Sequence, residues 1–231
     1  MNDISSKFPI YEIKKFKEIG FEAGITLKGE WGSQENIYRH LRSLMPNKEI
    51  IIPVQVHGAE IFYLNSDGIG ESCQVDGVIT KCKDLCLSVT TADCIPLILA
   101  EPKSGLFGAI HVGWRSFISG IMENAFQTFS NMGIDIGNVN LEIGPGIGPC
   151  CFEVGKEVSV LFDDDYVIQK DSKFYVDLAG AIRNKATLLG VVNGNTESIP
   201  ECTSCGVSRY YSFRRDKESP VQLVSFIHRL N

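Results

Sequence analysis

Short apolar runs rich in isoleucine, valine, leucine and threonine recur along the first half of the chain. Runs of this length and composition are typical of β-strands buried in a sheet. They cover residues 49–56, 60–64, 76–80, 85–91, 96–100 and 106–112. Two later runs, at residues 138–143 and 221–227, predict further strands in the second half of the chain.

A helical repeat of apolar residues occupies residues 118–132 and ends at Gly133. This spacing predicts an amphipathic helix. Asp177, a residue type that caps helix N-termini, begins a second predicted helix that runs to Gly190. A shorter helix is predicted over residues 153–162. Strands and helices interleave, so we expect an α/β (α+β) fold: a layered sandwich of mixed β-sheets with flanking helices.

The 231 residues contain no internal repeat, no linker rich in proline or serine and no abrupt change in composition. We therefore expect one domain that spans residues 1–231. Lys and Arg number 22 against 28 Asp and Glu, a net charge of −6. This balance argues against a nucleic acid polymer or a membrane surface as a partner. The first residues lack an apolar signal segment, and we expect a cytoplasmic protein.

Eight cysteines in a chain of this length indicate reduced thiols or metal ligands rather than a disulfide framework. The Cys-Thr-Ser-Cys segment at 202–205 has the spacing of half a zinc site or of a redox pair, but no second Cys-x-x-Cys accompanies it. We interpret it as a reduced or locally structural pair. The cysteines at 150–151, and those at 82 and 86, match no metal-binding pattern and are interpreted as packing residues.

A β-hairpin is predicted where two apolar strands flank the turn residues at 102–105. A turn centred between Pro102 and Lys103 places Cys94 directly opposite His111. Side chains that face each other across paired strands have Cβ atoms about 4.5 to 5.5 Å apart. A thiolate and an imidazole at that separation can share a metal ion or form an ion pair.

A second histidine, His57, ends another apolar run, although the chain has only 4 histidines. His57, Cys94 and His111 together would make a three-ligand site with an open fourth position, the layout of a catalytic zinc ion. Two other interpretations remain open on the pattern alone. Cys94 and His111 could be buried core residues, or His111 could activate Cys94 as the nucleophile of a thiol hydrolase or amidase.

Several short motifs occur in the order found in one known family. They are Gln55-Val56-His57-Gly58, Asp76-Gly77-Val78, Thr91-Ala92-Asp93-Cys94, His111-Val112-Gly113-Trp114-Arg115, Ile143-Gly144-Pro145 with Ile147-Gly148-Pro149, Phe152-Glu153-Val154-Gly155, and Tyr211-Ser212-Phe213-Arg214-Arg215-Asp216. Through these motifs, about residues 50–231 resemble the laccase-domain family, once labelled multicopper polyphenol oxidase and now regarded as purine nucleoside phosphorylases.

The resemblance implies a cytoplasmic enzyme with one zinc ion held by His57, Cys94 and His111. It implies phosphorolysis of adenosine, inosine, guanosine and methylthioadenosine to the free base and ribose 1-phosphate, with adenosine deamination as a side activity. It also implies a layered sandwich similar in outline to toxin deamidases that use a Cys-His pair. A copper polyphenol oxidase would need many more histidines than the 4 present. A non-catalytic metal-binding module remains an alternative.

A purine nucleoside and phosphate as partners require an anion clamp, and the planar guanidinium of arginine binds phosphate oxygens in pairs. Arg115, Arg214 and Arg215 are the candidates. For Arg215 the alternative is a surface ion pair with Asp216. The segment 24–29 lacks the Thr-Arg-x-Gly-Gly element that the resemblance leads us to expect there, so a substrate contact from that arginine is not available.

Carboxylates near these motifs could serve the chemistry. Asp93 is a candidate catalytic residue that transfers protons or fixes a ligand, and Glu153 is a second candidate. Trp114 and Phe213 could stack on a purine, but core packing is the favoured use of both. Ser116 stands where the resemblance predicts a glycine, which leads us to expect a different backbone there.

Overall fold

Three β-sheets form the framework of the protein in the computed structural model, which describes residues 7–65, 73–205, 209–217 and 221–230. Within these residues the strands are β1 (Ile10–Glu12), β2 (Phe21–Thr26), β3 (Glu49–Ile51), β4 (Ile61–Leu64), β5 (Gly77–Thr80), β6 (Leu85–Thr91), β7 (Ile95–Glu101), β8 (Leu106–Val112), β9 (Asn140–Ile143), β10 (Glu153–Val154), β11 (Val167–Lys170), β12 (Lys173–Val176), β13 (Thr196–Ser198) and β14 (Leu223–Arg229). The α-helices are α1 (Lys14–Glu18), α2 (Gln34–Leu44), α3 (Trp114–Ile118), α4 (Ile121–Asn131), α5 (Lys156–Ser159), α6 (Leu178–Leu188) and α7 (Phe213–Asp216).

Both large sheets mix parallel and antiparallel pairs. The first has the order β1-β2-β14-β6-β3, in which only β3 and β6 run parallel. The second has the order β13-β9-β7-β8-β5-β4, with parallel pairs at its two edges. The small third sheet, β10-β12-β11, is antiparallel. These layers and the helices confirm the predicted α+β sandwich of mixed sheets.

The centre of the second sheet is covered on both faces, and every residue of β7 and β8 is buried. On one face, Ile98 and Phe107 belong to the core shared with the first sheet. On the other, Leu97 and Ile110 belong to a second core with α4 and α6. Strands covered on both sides can be apolar at every position, which explains why these two runs lack the alternation of a half-exposed strand.

Several predicted elements match the structure and others are shorter. The runs at 85–91 and 106–112 coincide with β6 and β8. The predicted helix at 118–132 is divided, because Gly120 adopts a left-handed φ of 92° between α3 and α4. The run at 49–56 is a strand only in its first three residues. Within 153–162, the first two residues form β10 and only four are α-helical.

Among the described residues, no helix has both the length and the apolar character needed to cross a membrane.

Candidate metal centre and active site

Three side chains from separate parts of the chain converge beside the second sheet. Ligand atoms of His57, Cys94 and His111 all lie within 4.8 Å of one another. The two imidazole rings are 4.8 Å apart and nearly perpendicular. His111 is buried, Cys94 is half-buried and His57 is exposed, so the cluster is open to solvent on one side. Two imidazoles and one thiolate are a donor set that could bind a metal ion.

The hairpin that carries Cys94 and His111 forms, but the predicted register is wrong. His111 in β8 pairs with Pro96 in β7, so Cys94 does not lie directly opposite it. Cys94 precedes the first residue of β7 and approaches His111 diagonally. A Cβ atom added to Gly113 would lie 3.1 Å from the Cys94 Sγ. Gly113 therefore leaves the space that the thiol occupies.

The shift in register arises in the turn of the hairpin. Glu101 pairs with Leu106, so that residues 102–105 form the turn. The Glu101 carboxylate accepts hydrogen bonds from the amides of Lys103 at 3.0 Å and Ser104 at 2.7 Å. Gly105 closes the turn with a left-handed φ of 72°. A side chain that binds the turn backbone thus moves the turn centre one residue along the chain.

Asp76 organises the two histidines. Its Oδ1 accepts a hydrogen bond from His111 Nδ1 at 2.8 Å and one from the His57 amide at 2.9 Å. Its Oδ2 accepts from the amides of Gly58 at 2.7 Å and Val56 at 3.2 Å. A carboxylate can only accept, so Nδ1 of His111 carries a hydrogen, and Nε2 would be the nitrogen that binds a metal in exchange for its proton. A carboxylate behind a metal-binding histidine has this role in many metalloproteins.

The same contacts shape the segment before His57. The predicted strand that ends at His57 is absent there, and His57 has a positive φ of 59°. The three amides at residues 56–58 turn towards the Asp76 carboxylate instead of towards a neighbouring strand. Burial raises the pKa of Asp76, but the His111 hydrogen bond and the amide hydrogen bonds outweigh it and hold the pKa below its ordinary value. Asp76 is named within a sequence motif but receives no role from the sequence alone. Its contacts to His111 and His57 add it to the candidate site.

The thiol of Cys94 is activated by its neighbours. Burial raises its pKa, but hydrogen bonds and charge interactions with His111 and His57 outweigh burial and lower the pKa to about 7. Burial lowers the pKa of His111, and its hydrogen bonds to Asp76 and Cys94 outweigh that effect and raise it to about 9. The arrangement therefore favours the thiolate of Cys94, the form that binds metals and acts as a nucleophile.

Asp93 connects the cluster to the C-terminal part of the chain. Its Oδ1 accepts a hydrogen bond from Thr203 Oγ1 at 2.6 Å, and its Oδ2 accepts from the Arg214 amide at 2.7 Å. Its carbonyl oxygen accepts from the Ile147 amide at 2.8 Å. Asp93 has a positive φ of 88°, which is uncommon for a residue other than glycine. These contacts hold the bend that directs Cys94 towards the histidines.

The three candidate arginines have different environments. The Arg115 guanidinium lies 4.3 Å from the centre of the Trp114 ring, and Arg115 is exposed. Arg214 is also exposed, and its guanidinium donates to the carbonyl oxygens of Cys151 at 3.1 Å and Glu153 at 3.0 Å. Arg215 forms the ion pair with Asp216 that sequence analysis gave as its alternative use.

Two other sequence interpretations need correction. Phe213 is 68% exposed instead of packed in a core, so its ring is available to a ligand. Ser116 lies inside α3 and its φ is not positive, so its backbone does not require glycine. Its buried hydroxyl has no hydrogen-bond partner among the described residues. Trp114 is partly buried against the second core, as packing predicts.

Comparison with known proteins identifies relatives. The family described as multi-copper polyphenol oxidoreductase laccase matches residues 33–229. A purine nucleoside phosphorylase of Deinococcus radiodurans is 32% identical over 166 residues, which are 70% of this chain and 63% of that protein. A protein named adenosine deaminase RL5, from an unknown prokaryotic organism, is 29% identical over 61% of this chain and 57% of its own length. The aligned region thus spans less than two thirds of either relative.

The fold is also similar to a solved structure. The crystal structure of YlmD from Geobacillus stearothermophilus superposes with a TM-score of 0.82 and 26% identity, over 92% of this chain and 93% of that one. The family match over residues 33–229 includes His57, Cys94 and His111. Sequence and architecture agree, and the chain belongs to the multi-copper polyphenol oxidoreductase laccase family.

Proposed function

We propose that this protein is a zinc-dependent purine nucleoside phosphorylase with accompanying adenosine deaminase activity, acting in the cytoplasm. The observation that carries the proposal is the convergence of His57, Cys94 and His111, with Asp76 behind His111. Named relatives support the substrate class, since they include a purine nucleoside phosphorylase and an adenosine deaminase. None of the eight cysteines forms a disulfide among the described residues, which agrees with a reducing compartment.

The donor set fits zinc. His57 and His111 would supply nitrogen and Cys94 sulfur, a three-ligand donor set of the kind that catalytic zinc sites use. A zinc ion bound there supplies Lewis-acid chemistry and activates water near neutral pH. Copper oxidase chemistry fits poorly, because the chain has only 4 histidines for the several copper sites that it requires.

In phosphorolysis, a phosphate oxygen forms a bond to C1′ of the ribose while the bond from C1′ to the purine nitrogen breaks. The departing base then takes up a proton. We assign phosphate binding to Arg115 and Arg214, which are exposed and belong to the motifs that contain His111 and Phe213. The exposed ring of Phe213, next to Arg214, is suited to stack on the purine.

For Asp93 we propose a positioning role. Both of its carboxylate oxygens already accept hydrogen bonds, from Thr203 and from the Arg214 amide. It would therefore hold Arg214 and Cys94 in place while phosphate binds, and leave proton transfer to water. In adenosine deamination, water adds to C6 of the purine and ammonia leaves, which gives inosine.

The proposal is tested by chromatography of the products from inosine and adenosine, with and without phosphate. We expect zinc-loaded wild type to release hypoxanthine and ribose 1-phosphate from inosine only when phosphate is present. Cys94→Ala should lose this activity, whereas Cys82→Ala, a half-buried cysteine outside the cluster, should retain it. If the zinc-loaded wild type releases no base from any purine nucleoside, the proposal is wrong.

A thiol hydrolase is the second candidate, and the lowered pKa of Cys94 favours it. Alkylation of Cys94 by iodoacetamide distinguishes the two. A zinc enzyme should be protected from alkylation by stoichiometric zinc and lose its turnover on chelation. A hydrolase should keep its activity on amides after chelation and lose that activity when Cys94 is alkylated.

A further inference from the structure

A second cluster of cysteines lies at the surface, outside the site described above. The Sγ atoms of Cys150, Cys151, Cys202 and Cys205 all lie within 4.8 Å of one another. Cys150 and Cys205 are exposed, and the other two are half-buried. The interpretation of residues 150–151 as packing residues is therefore wrong for Cys150. The 202–205 segment has no second Cys-x-x-Cys, and its place is taken by the adjacent pair Cys150-Cys151, of which Cys150 lies 55 positions before Cys205.

Backbone contacts bring the two cysteine pairs together. Gly146 and Cys202 form a parallel β-bridge, and the Thr203 amide donates to the Gly146 carbonyl oxygen at 3.0 Å. The Gly148 amide donates to the Cys202 Sγ at 3.2 Å. A Cβ atom at Gly148 would lie 3.2 Å from the Cys202 Cβ and 3.4 Å from the Cys150 Sγ, so a glycine lets the two turns approach. Backbone contacts between the two segments therefore place the four cysteines close together.

We propose that Cys150, Cys151, Cys202 and Cys205 bind one structural zinc ion. Four thiolates around zinc at about 2.3 Å place their sulfur atoms about 3.8 Å apart in a tetrahedron. The limit of 4.8 Å among these four Sγ atoms is compatible with that geometry. An iron–sulfur cluster places several metal atoms between its ligands and needs wider spacing. The N–H group of Gly148 that points at Cys202 would stabilise a ligating thiolate.

A disulfide accounts for the cluster less well. The Sγ atoms of Cys150 and Cys205 are 3.2 Å apart, well beyond the roughly 2.05 Å of a covalent S–S bond. A disulfide would also use only two of the four thiols. Four sulfur ligands fill the coordination sphere of zinc, so this ion would have no open position and would act in stability and not in catalysis.

The proposed zinc would hold in place two segments that contact residues of the candidate active site. The turn at 202–205 contains Thr203, whose hydroxyl donates to Asp93 beside Cys94. The carbonyl oxygen of Cys151 accepts from the Arg214 guanidinium. An ion that links the two turns would therefore hold Asp93 and Arg214 at fixed positions. The assignment itself uses only the cysteines and is independent of the reaction proposed above.

Metal content per chain tests the assignment. The parent for the test is Cys94→Ser, which removes one ligand of the first cluster. By elemental analysis after exhaustive dialysis against zinc-free buffer, we expect this parent to keep about one zinc per chain. Adding Cys205→Ser or, separately, Cys150→Ser should reduce the content at least fivefold. Adding Cys82→Ser should leave it unchanged. Both substituted ligands are exposed, so both variants are expected to fold.

Cobalt substitution reports the type of ligand, which metal content alone does not. The charge-transfer absorption from thiolate to cobalt in the Cys94→Ser parent should correspond to four thiolates, about four times that of a one-thiolate site. The assignment is overturned if the zinc-supplemented parent binds no metal, or if iron is the metal found. It is also overturned if peptide mapping of the purified wild type finds two of the four clustered cysteines joined by a disulfide.

Discussion

Replacing Asp76 with asparagine tests how the candidate metal centre is organised. The carboxylate accepts four hydrogen bonds, two at each oxygen. Asparagine has one oxygen and one NH2 group, so in either orientation two donors face another donor. If the NH2 group faces His111, the ring must move its hydrogen to Nε2, and that nitrogen can no longer bind a metal. If it faces Gly58 and Val56, the segment that carries His57 is displaced.

The size of the effect follows from these contacts. Loss of a hydrogen-bonded carboxylate behind a metal-binding histidine typically lowers metal affinity 10- to 100-fold, which is about 1.4 to 2.8 kcal/mol. Asp76 is completely buried, so water cannot replace the lost acceptor. Each unsatisfied buried donor also lowers the free energy of unfolding by about 1 to 3 kcal/mol. We therefore expect Asp76→Asn to bind zinc more weakly and to unfold at lower denaturant concentration.

Competition with a chromophoric chelator measures the zinc affinity. The measurement is made in a Cys205→Ser background, so that the four-cysteine cluster does not contribute. Asp84→Asn, an exposed aspartate before β6, is the matched control and should leave the affinity unchanged. A folded Asp76→Asn variant whose zinc affinity lies within about twofold of its parent would refute the reasoning about the His111 tautomer.

Two further substitutions test the surroundings of the site and the second sheet. Gly113→Ala places a Cβ 3.1 Å from the Cys94 Sγ and 3.3 Å from the His57 Cδ2. We expect this variant to bind zinc about tenfold more weakly in the same competition assay. Gly194→Ala is the control and should have no effect, because its added Cβ meets no atom within 4 Å. Glu142 is buried beside Glu197, and burial followed by that charge raises its pKa to about 7. A raised carboxyl pKa means that its stabilising contribution is complete below about pH 4.5 and is lost as the pH rises through about 7. Glu142→Gln should therefore raise the free energy of unfolding at pH 8 by about 3 kcal/mol and change it little at pH 4, as measured by urea unfolding; an equal effect at both pH values would contradict the role of ionisation.

The strands that the sequence predicts best are those whose environment is uniform. β8 is buried along its whole length and β6 at every position except Thr90, so both strands coincide with their apolar runs. The run at 49–56 looks the same in sequence but is a strand only as far as Ile51. Beyond that residue, the amides at 56–58 bind the Asp76 side chain. A contact to a side chain 18 to 20 positions away has no signature in hydrophobic periodicity.

The candidate site was predicted through a partly incorrect geometry. Cys94 and His111 do meet, but diagonally, because the Glu101 carboxylate binds the turn and shifts the register. The residue types in the turn do not show that its amides donate to the Glu101 carboxylate. The four-cysteine cluster was missed for a related reason, since its halves are joined by the bridge from Gly146 to Cys202. Metal-binding patterns that are read along the chain detect ligand pairs and not the tertiary contacts that join them.

The position of β14 in the first sheet has a consequence for how the chain reaches this structure. β14 lies between β2 and β6, and its Val224 amide donates to the Thr26 hydroxyl across 198 positions of sequence. During synthesis on the ribosome, β2 and β6 are made long before the strand that joins them. Their unpaired edges remain open in the nascent chain, which favours slow folding and the help of chaperones. The sheet closes only after residues 209–217, which carry Arg214, have also emerged, so the candidate site and the first sheet are completed at the same late stage.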